Sequence, residues 1–163
     1  MKRAPFWGKL RLLLLVCCGI ILAVLIYRQY LRSTRLESVL RFEKTGVDKC
    51  LMGLVFYGSK MTEIKDGPAN AIAEDFVGIA RKYYKGICDD LFEFGPIYKM
   101  VFKRNNSTWQ FEFTSVSDEK TLVAYKTTNP SLTGTIFLEQ KANSELVALI
   151  ESFVIEEAEK KQE

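Results

Sequence analysis

From Leu12 to Tyr27 the chain reads LLLLVCCGIILAVLIY, sixteen positions without a charge or a strong polar group. As a helix rising about 1.5 Å per residue this run spans roughly 24 Å, a little less than a hydrocarbon core of about 30 Å. Leu10 and Leu31 extend it when Arg11 and Arg28 carry their charges to the headgroups on aliphatic stems. Phe6, Trp7, Tyr27 and Tyr30 then fall where interfacial aromatics belong. The pattern predicts a membrane-crossing helix over 10–30, with Arg11, Tyr27, Arg28, Tyr30 and Arg32 at the membrane interface and lipid around it. A cleaved signal peptide is the rival reading. It requires a small-x-small cleavage site, whereas Ile26, Tyr27, Arg28, Gln29, Tyr30 and Leu31 follow the run. A lipid-modified Cys17 or Cys18 is disfavoured by the bulky Leu14, Leu15 and Val16 before them, and both cysteines read as small apolar filling of a membrane helix.

Beyond the apolar run, Leu36, Val39, Leu40 and Phe42 keep a helical spacing with no Gly or Pro until Gly46, which predicts a helical stalk. Two β-rich runs follow, CLMGLVFY (50–57) and KMTEIK (60–65), separated by Gly58-Ser59 as in a tight hairpin. Asp66 and Pro68 announce a helix, capped by Asp66, whose Ile72, Phe76, Ile79 and Tyr83 line one face until Gly86. From Gly95-Pro96 the period becomes two. IYKMVFK (97–103) meets TWQFEFT (108–114) across Arg104-Asn105-Asn106-Ser107, and Trp109, Phe111 and Phe113 alternate with Gln110 and Glu112. TLVAYK (121–126) and TIFLEQ (135–140) read as two more strands. A closing helix capped at Asn143 or Ser144 would place Leu146, Leu149, Ile150, Phe153 and Val154 in one stripe; a strand through Ala148 to Ile155 is the alternative.

The expected class is α+β: an N-terminal transmembrane helix, then a small domain with an antiparallel sheet of about four to six strands and two packing helices. The expected divisions are a basic arm over 1–9, the membrane helix over 10–30, a juxtamembrane stalk over 31–46, the α+β domain over 47–157 and a charged tail over 158–163.

Charge changes this picture in one respect. The net +3 of the 163 residues arises in the first 32, which hold six basic groups and no acid. From residue 42 onward 15 basic residues face 19 acids, which opposes phosphate backbones, so no nucleic-acid partner is expected even though Trp109, Phe111 and Phe113 beside Lys103 and Arg104 share a feature with RNA-binding sheets. The short basic N terminus places the C-terminal body on the extracytoplasmic side by the positive-inside rule.

Candidate chemistry is sparse. The chain has no histidine, so Cys-His nucleophiles and imidazole ligands cannot be built. Neither G-x-S-x-G nor a phosphate-binding glycine loop occurs. Asp89, Asp90 and Glu93, with Asp118 and Glu119, lack the alternate spacing of a calcium loop. No cofactor or metal is expected. Cys50 and Cys88 form a possible disulfide in an exported body, or two small buried hydrophobes in a reducing compartment. Asn105 and Asn106 open two overlapping N-x-S/T sequons, which are also ordinary turn chemistry.

These features predict a single-pass membrane protein with a non-catalytic binding domain whose partner is another membrane or membrane-proximal protein. The order of anchor, stalk, helix before Phe94-Gly95-Pro96, strands and Gly134-Thr135-Ile136-Phe137 is similar to the mitochondrial Coa1 and Tim21 group over about the last 90 residues. That resemblance implies an accessory or assembly factor of a membrane complex, while the hairpin over 50–65 and a helical C terminus depart from it. The third reading is an enzyme working with carboxylates alone, drawn from Glu63, Asp66, Glu74, Asp75, Glu112 and Glu139.

Overall fold

A computed structural model describes residues 5–55, 61–91, 95, 97–117, 120–128 and 131–159. It divides into an N-terminal unit, Met1–Arg35, and a body, Leu36–Glu163. Helix α1 (Pro5–Val39) runs without interruption, and Leu10–Val39 is long and apolar enough to cross a membrane. Its apolar side chains are exposed all round, Leu12, Leu15 and Ile21 by 64%, 70% and 60%. Near its C-terminal end the pattern changes: Leu36, Val39 and Leu40 are buried in the core of the body, and so is Phe42 of the four-residue helix α2 (Phe42–Thr45). The segment expected as a stalk over 31–46 is thus part of the folded body from Leu36 onward.

The body is α+β, built on one antiparallel sheet of β1 (Lys49–Leu54), β2 (Thr62–Lys65), β3 (Tyr84–Cys88), β4 (Tyr98–Arg104), β5 (Ser107–Ser117), β6 (Lys120–Thr127) and β7 (Thr133–Glu139) in the order β2-β1-β4-β5-β6-β7-β3. Seven strands exceed the expected four to six. The missed strand is β3. Tyr83 and Gly86, expected to finish a helix, lie beyond its end, because α3 (Asp66–Lys82) stops at Lys82 and the chain turns at once into a short edge strand against β7. The turn expected at Gly58-Ser59 lies outside the described residues.

Directly opposed residues share a face of the sheet. The rows Cys50–Phe102–Trp109–Thr127 and Met52–Met100–Phe111–Tyr125–Gly134 therefore point the same way, toward the helices. On that face α3 packs with Ala69, Ile72, Ala73, Phe76, Val77 and Ala80 buried. Helix α4 (Lys141–Glu159) adds Ala142, Leu146 and Ile150. The C-terminal segment is thus a helix, but it starts at Lys141, so Asn143 and Ser144 lie inside its first turn and do not cap it. Residues 160–163 of the expected charged tail lie outside the described residues.

Asp66 does not cap α3 through its side chain either, since it stands in the left-handed region with φ 58 and its carboxylate makes no hydrogen bond among the described residues. A different residue secures this corner. Asn70 Oδ1 accepts from the Val47 N–H at 2.7 Å and its Nδ2 donates to the Val47 carbonyl at 3.0 Å, so one α3 side chain satisfies both backbone polar groups of Val47, just before β1.

Gly134 of β7 is required by a close approach. A Cβ there would lie 2.1 Å from the Cys88 carbonyl oxygen and 2.7 Å from the Tyr125 hydroxyl, and the carbonyl belongs to backbone. Gly134→Ala should destabilise the full chain by about 1–3 kcal/mol, read as a lowered midpoint in detergent-solubilised denaturant unfolding. Gly86→Ala, whose Cβ would meet only Phe137 Cδ2 at 3.8 Å, should cost clearly less. Equal effects would show that the Cys88–Gly134 contact is not limiting.

Candidate functional site

Aromatic packing builds the site. The Phe42 ring lies 4.8 Å from Phe102, 5.5 Å from Trp109 and 5.6 Å from Phe111, centroid to centroid, which fixes α2 on the β4–β5 hairpin. Between them opens a groove of about 460 Å³. Phe42 and Trp109 line its apolar part, with Ser38 at the end of α1, and Arg41 and Thr45 beside and on α2. Arg104, Asn105 and Ser107, at the tip of the hairpin, complete it.

The hairpin tip has the geometry its sequence implies. Arg104 pairs with Ser107 around Asn105-Asn106, and Asn105 takes φ 49, a left-handed conformation that asparagine tolerates better than most residues. Its backbone N–H donates to Asp48 Oδ2 at 2.9 Å. The side-chain amide of Asn105, the Ser107 hydroxyl and the guanidinium groups of Arg41 and Arg104 have no hydrogen-bond or ion-pair partner among the described residues. No carboxylate is among the residues lining the groove.

The acids of this corner are engaged elsewhere. Arg81 of α3 makes a bidentate contact with Glu37, Nε to Oε1 and Nη2 to Oε2, both at 2.9 Å. Its Nη1 lies 2.9 Å from Glu43 Oε2. Arg81 thereby clamps the end of α1 and α2 to α3. The hydrogen bond from Arg81 holds the Glu37 carboxyl below its ordinary 4.5 against a smaller opposing effect of burial, and the same bond raises Arg81. On the other side of α3, Lys82 and Tyr83 both bond to Glu145 of α4, and the Lys82–Glu145 bond pushes the lysine up to about 12.

The residues singled out in the sequence are dispersed. Glu63 lies near Lys49 and Lys65, at 3.8 and 3.5 Å, Glu112 lies 2.9 Å from Lys99, and Glu139 pairs with Lys85. Asp66, Glu74 and Asp75 are exposed on α3. Glu93, Asp118 and Glu119 lie outside the described residues. No group of three or more metal-ligating side chains occurs among the described residues. Trp109, Phe111 and Phe113 are buried in the core and offer no open stacking surface.

The Cys50–Cys88 bridge is not formed: both thiols are free, and β1 and β3 are five strand spacings apart in the sheet order, each about 4.8 Å, where a disulfide needs Cα atoms within about 7 Å. Burial pushes the Cys50 thiol up to about 12, which disfavours its thiolate at neutral pH, whereas Cys88 is half-buried and donates to the Asp90 carbonyl. Of the interface residues expected on α1, Arg11, Tyr27, Arg28 and Tyr30 are exposed; the side chain of Arg32 lies outside the described residues.

No protein-family model, curated protein or solved structure matches the chain.

Two outcomes follow for this corner. A depressed carboxyl contributes stability that is complete above its unfolded value and disappears as pH falls through the folded one. Arg81→Met should therefore lower stability at pH 7, by about 1 kcal/mol given the partial exposure of the pair, and the gap to wild type should close as pH drops from about 5 to about 3. A gap that stays constant across that range would assign the loss to packing of the Arg81 stem. With the native chain in detergent, a maleimide should label Cys88 well before Cys50, and Cys50 should react only on unfolding; early modification of Cys50, seen by peptide mapping, would contradict its burial.

Proposed function

We propose that the chain is a single-pass membrane protein whose α+β body is a non-catalytic binding domain held at the membrane on the extracytoplasmic side. The observation that carries this reading is α1 itself. Its apolar side chains from Leu12 to Leu31 are exposed around the whole circumference, which a helix packed on one protein face does not require but a helix in lipid does. The same helix, without a break, ends in core residues Leu36 and Val39, so removing the apolar segment by cleavage near Tyr27 would cut inside a continuous helix. The binding role is supported by the groove at Arg41 and Arg104, whose donors are unengaged among the described residues, and the side assignment by the basic groups before Leu12.

Expression of the full chain and alkaline extraction of membranes should leave it in the pellet, with an intact mass that includes residues 1–35. A mass that has lost the apolar run, or recovery in the soluble fraction, would overturn the anchor. Lys141→Cys, at an exposed position of α4, should react with an impermeant maleimide in intact cells in a Cys88→Ser background; reaction only after lysis would reverse the side.

A further inference from the structure

We propose that the groove between α2 and the tip of the β4–β5 hairpin is a binding site for a phosphate ester, with Arg41 and Arg104 as its principal ligands. The lining supplies donors in excess. Two guanidinium groups, the Asn105 amide and the Ser107 hydroxyl are unengaged among the described residues, and no acid lines the groove to neutralise them. Asp48, at the hairpin tip, accepts the Asn105 N–H on one oxygen and does not line the groove, while Glu37 and Glu43 pair with Arg81. A cavity whose wall is positive in a body that is net negative selects for an anion locally and against polyanions at large.

The number and kind of donors point to phosphate. A carboxylate has two oxygens, which one bidentate guanidinium meets face to face. Two guanidiniums together with a hydroxyl and an amide match the three outer oxygens of a phosphate monoester or the headgroup of a phospholipid. The volume of about 460 Å³ exceeds what a bare phosphate fills and leaves room for the organic part of the ester. The Arg104 guanidinium lies beside Gly46, its Nη1 3.5 Å from where a Cβ would stand, an ordinary contact distance.

The test uses Trp109 as reporter. The chain has two tryptophans, so Trp7→Phe leaves one, at the site. The full chain in phosphatidylcholine nanodiscs is titrated with glycerol 3-phosphate, and separately incorporated into nanodiscs containing phosphatidic acid. Glycerol and sodium acetate serve as controls. A saturable change in Trp109 emission with the soluble ester, or a shift on anionic lipid alone, supports the site and identifies its ligand as soluble or lipid-borne. Arg41→Gln and Arg104→Gln should each weaken the response about 10-fold or more, while Lys126→Gln, the same loss of charge at an exposed position elsewhere on the sheet, should leave it unchanged. Arg41 is exposed, so its variant retains the fold and keeps the test decisive even where Arg104→Gln unfolds. No response to either phosphate source, an equal response to acetate, or equal weakening by Lys126→Gln would overturn the proposal. The soluble arm does not depend on the membrane anchor, so failure of the anchor and failure of the site are separately visible.

Discussion

The body is organised around the packing of Phe42. A helix of four residues has no stability of its own, because nucleation costs more than its few hydrogen bonds return. Helix α2 exists because its first residue is fully buried against Phe102, Trp109 and Phe111, while Phe76 of α3 closes on the same rings at 5.6 Å and 4.5 Å. Five aromatic side chains from two helices and one hairpin thus form a single contact set. Leu36, Val39 and Leu40 enter the same core, so the end of α1 is held by side chains that bury their apolar surface with it. Arg41 directly precedes the buried ring, so the packing of Phe42 fixes the backbone of Arg41 at the rim of the groove.

Electrostatics then sorts the charges around this core. An arginine at a surface normally finds a carboxylate when the net charge is negative, and here the body carries more acids than bases. Arg81 does so twice, with Glu37 and Glu43. Because one guanidinium presents five donors in a fixed fork, it can face both acids at once, bidentate to Glu37 and as an ion pair to Glu43. The acids on the α1–α2 side of the corner are consequently consumed on α3, away from Arg41. On the hairpin side one oxygen of Asp48 accepts a backbone N–H. Arg41 and Arg104 have no carboxylate partner among the described residues, although Glu37 and Glu43 flank Arg41 in sequence.

The hairpin tip shows how turn chemistry and a site can share residues. A non-glycine residue at φ 49 costs on the order of 1 kcal/mol, and the Asn105 N–H bond to Asp48 offsets part of that cost. That bond uses the backbone only. The amide side chain, which in many turns folds back on its own backbone, makes no such bond among the described residues and stays available at the groove.

How much of this was legible depended on the range of each interaction. Strands β4 and β5 were readable because alternation at Trp109, Phe111 and Phe113 is a local signal and their partner strand follows within a two-residue turn. Strand β3 was not. It is five residues long, contains Gly86, follows a helix after one residue, and exists only because β7, more than 40 residues later, pairs with it. A helical spacing that continued through Tyr83 therefore misled, since period alone cannot show where a helix meets an edge strand. The same reasoning explains the stalk. Leu36, Val39, Leu40 and Phe42 were visible as a helical stripe, but a stripe does not say what covers it, and Phe42 packs on Phe102, Trp109 and Phe111, 60 and more positions downstream. The groove was the least legible feature, because its two arginines lie 63 residues apart in sequence and each taken singly reads as a solvated charge. What distinguishes them is that the fold brings both to one groove whose described lining holds no carboxylate.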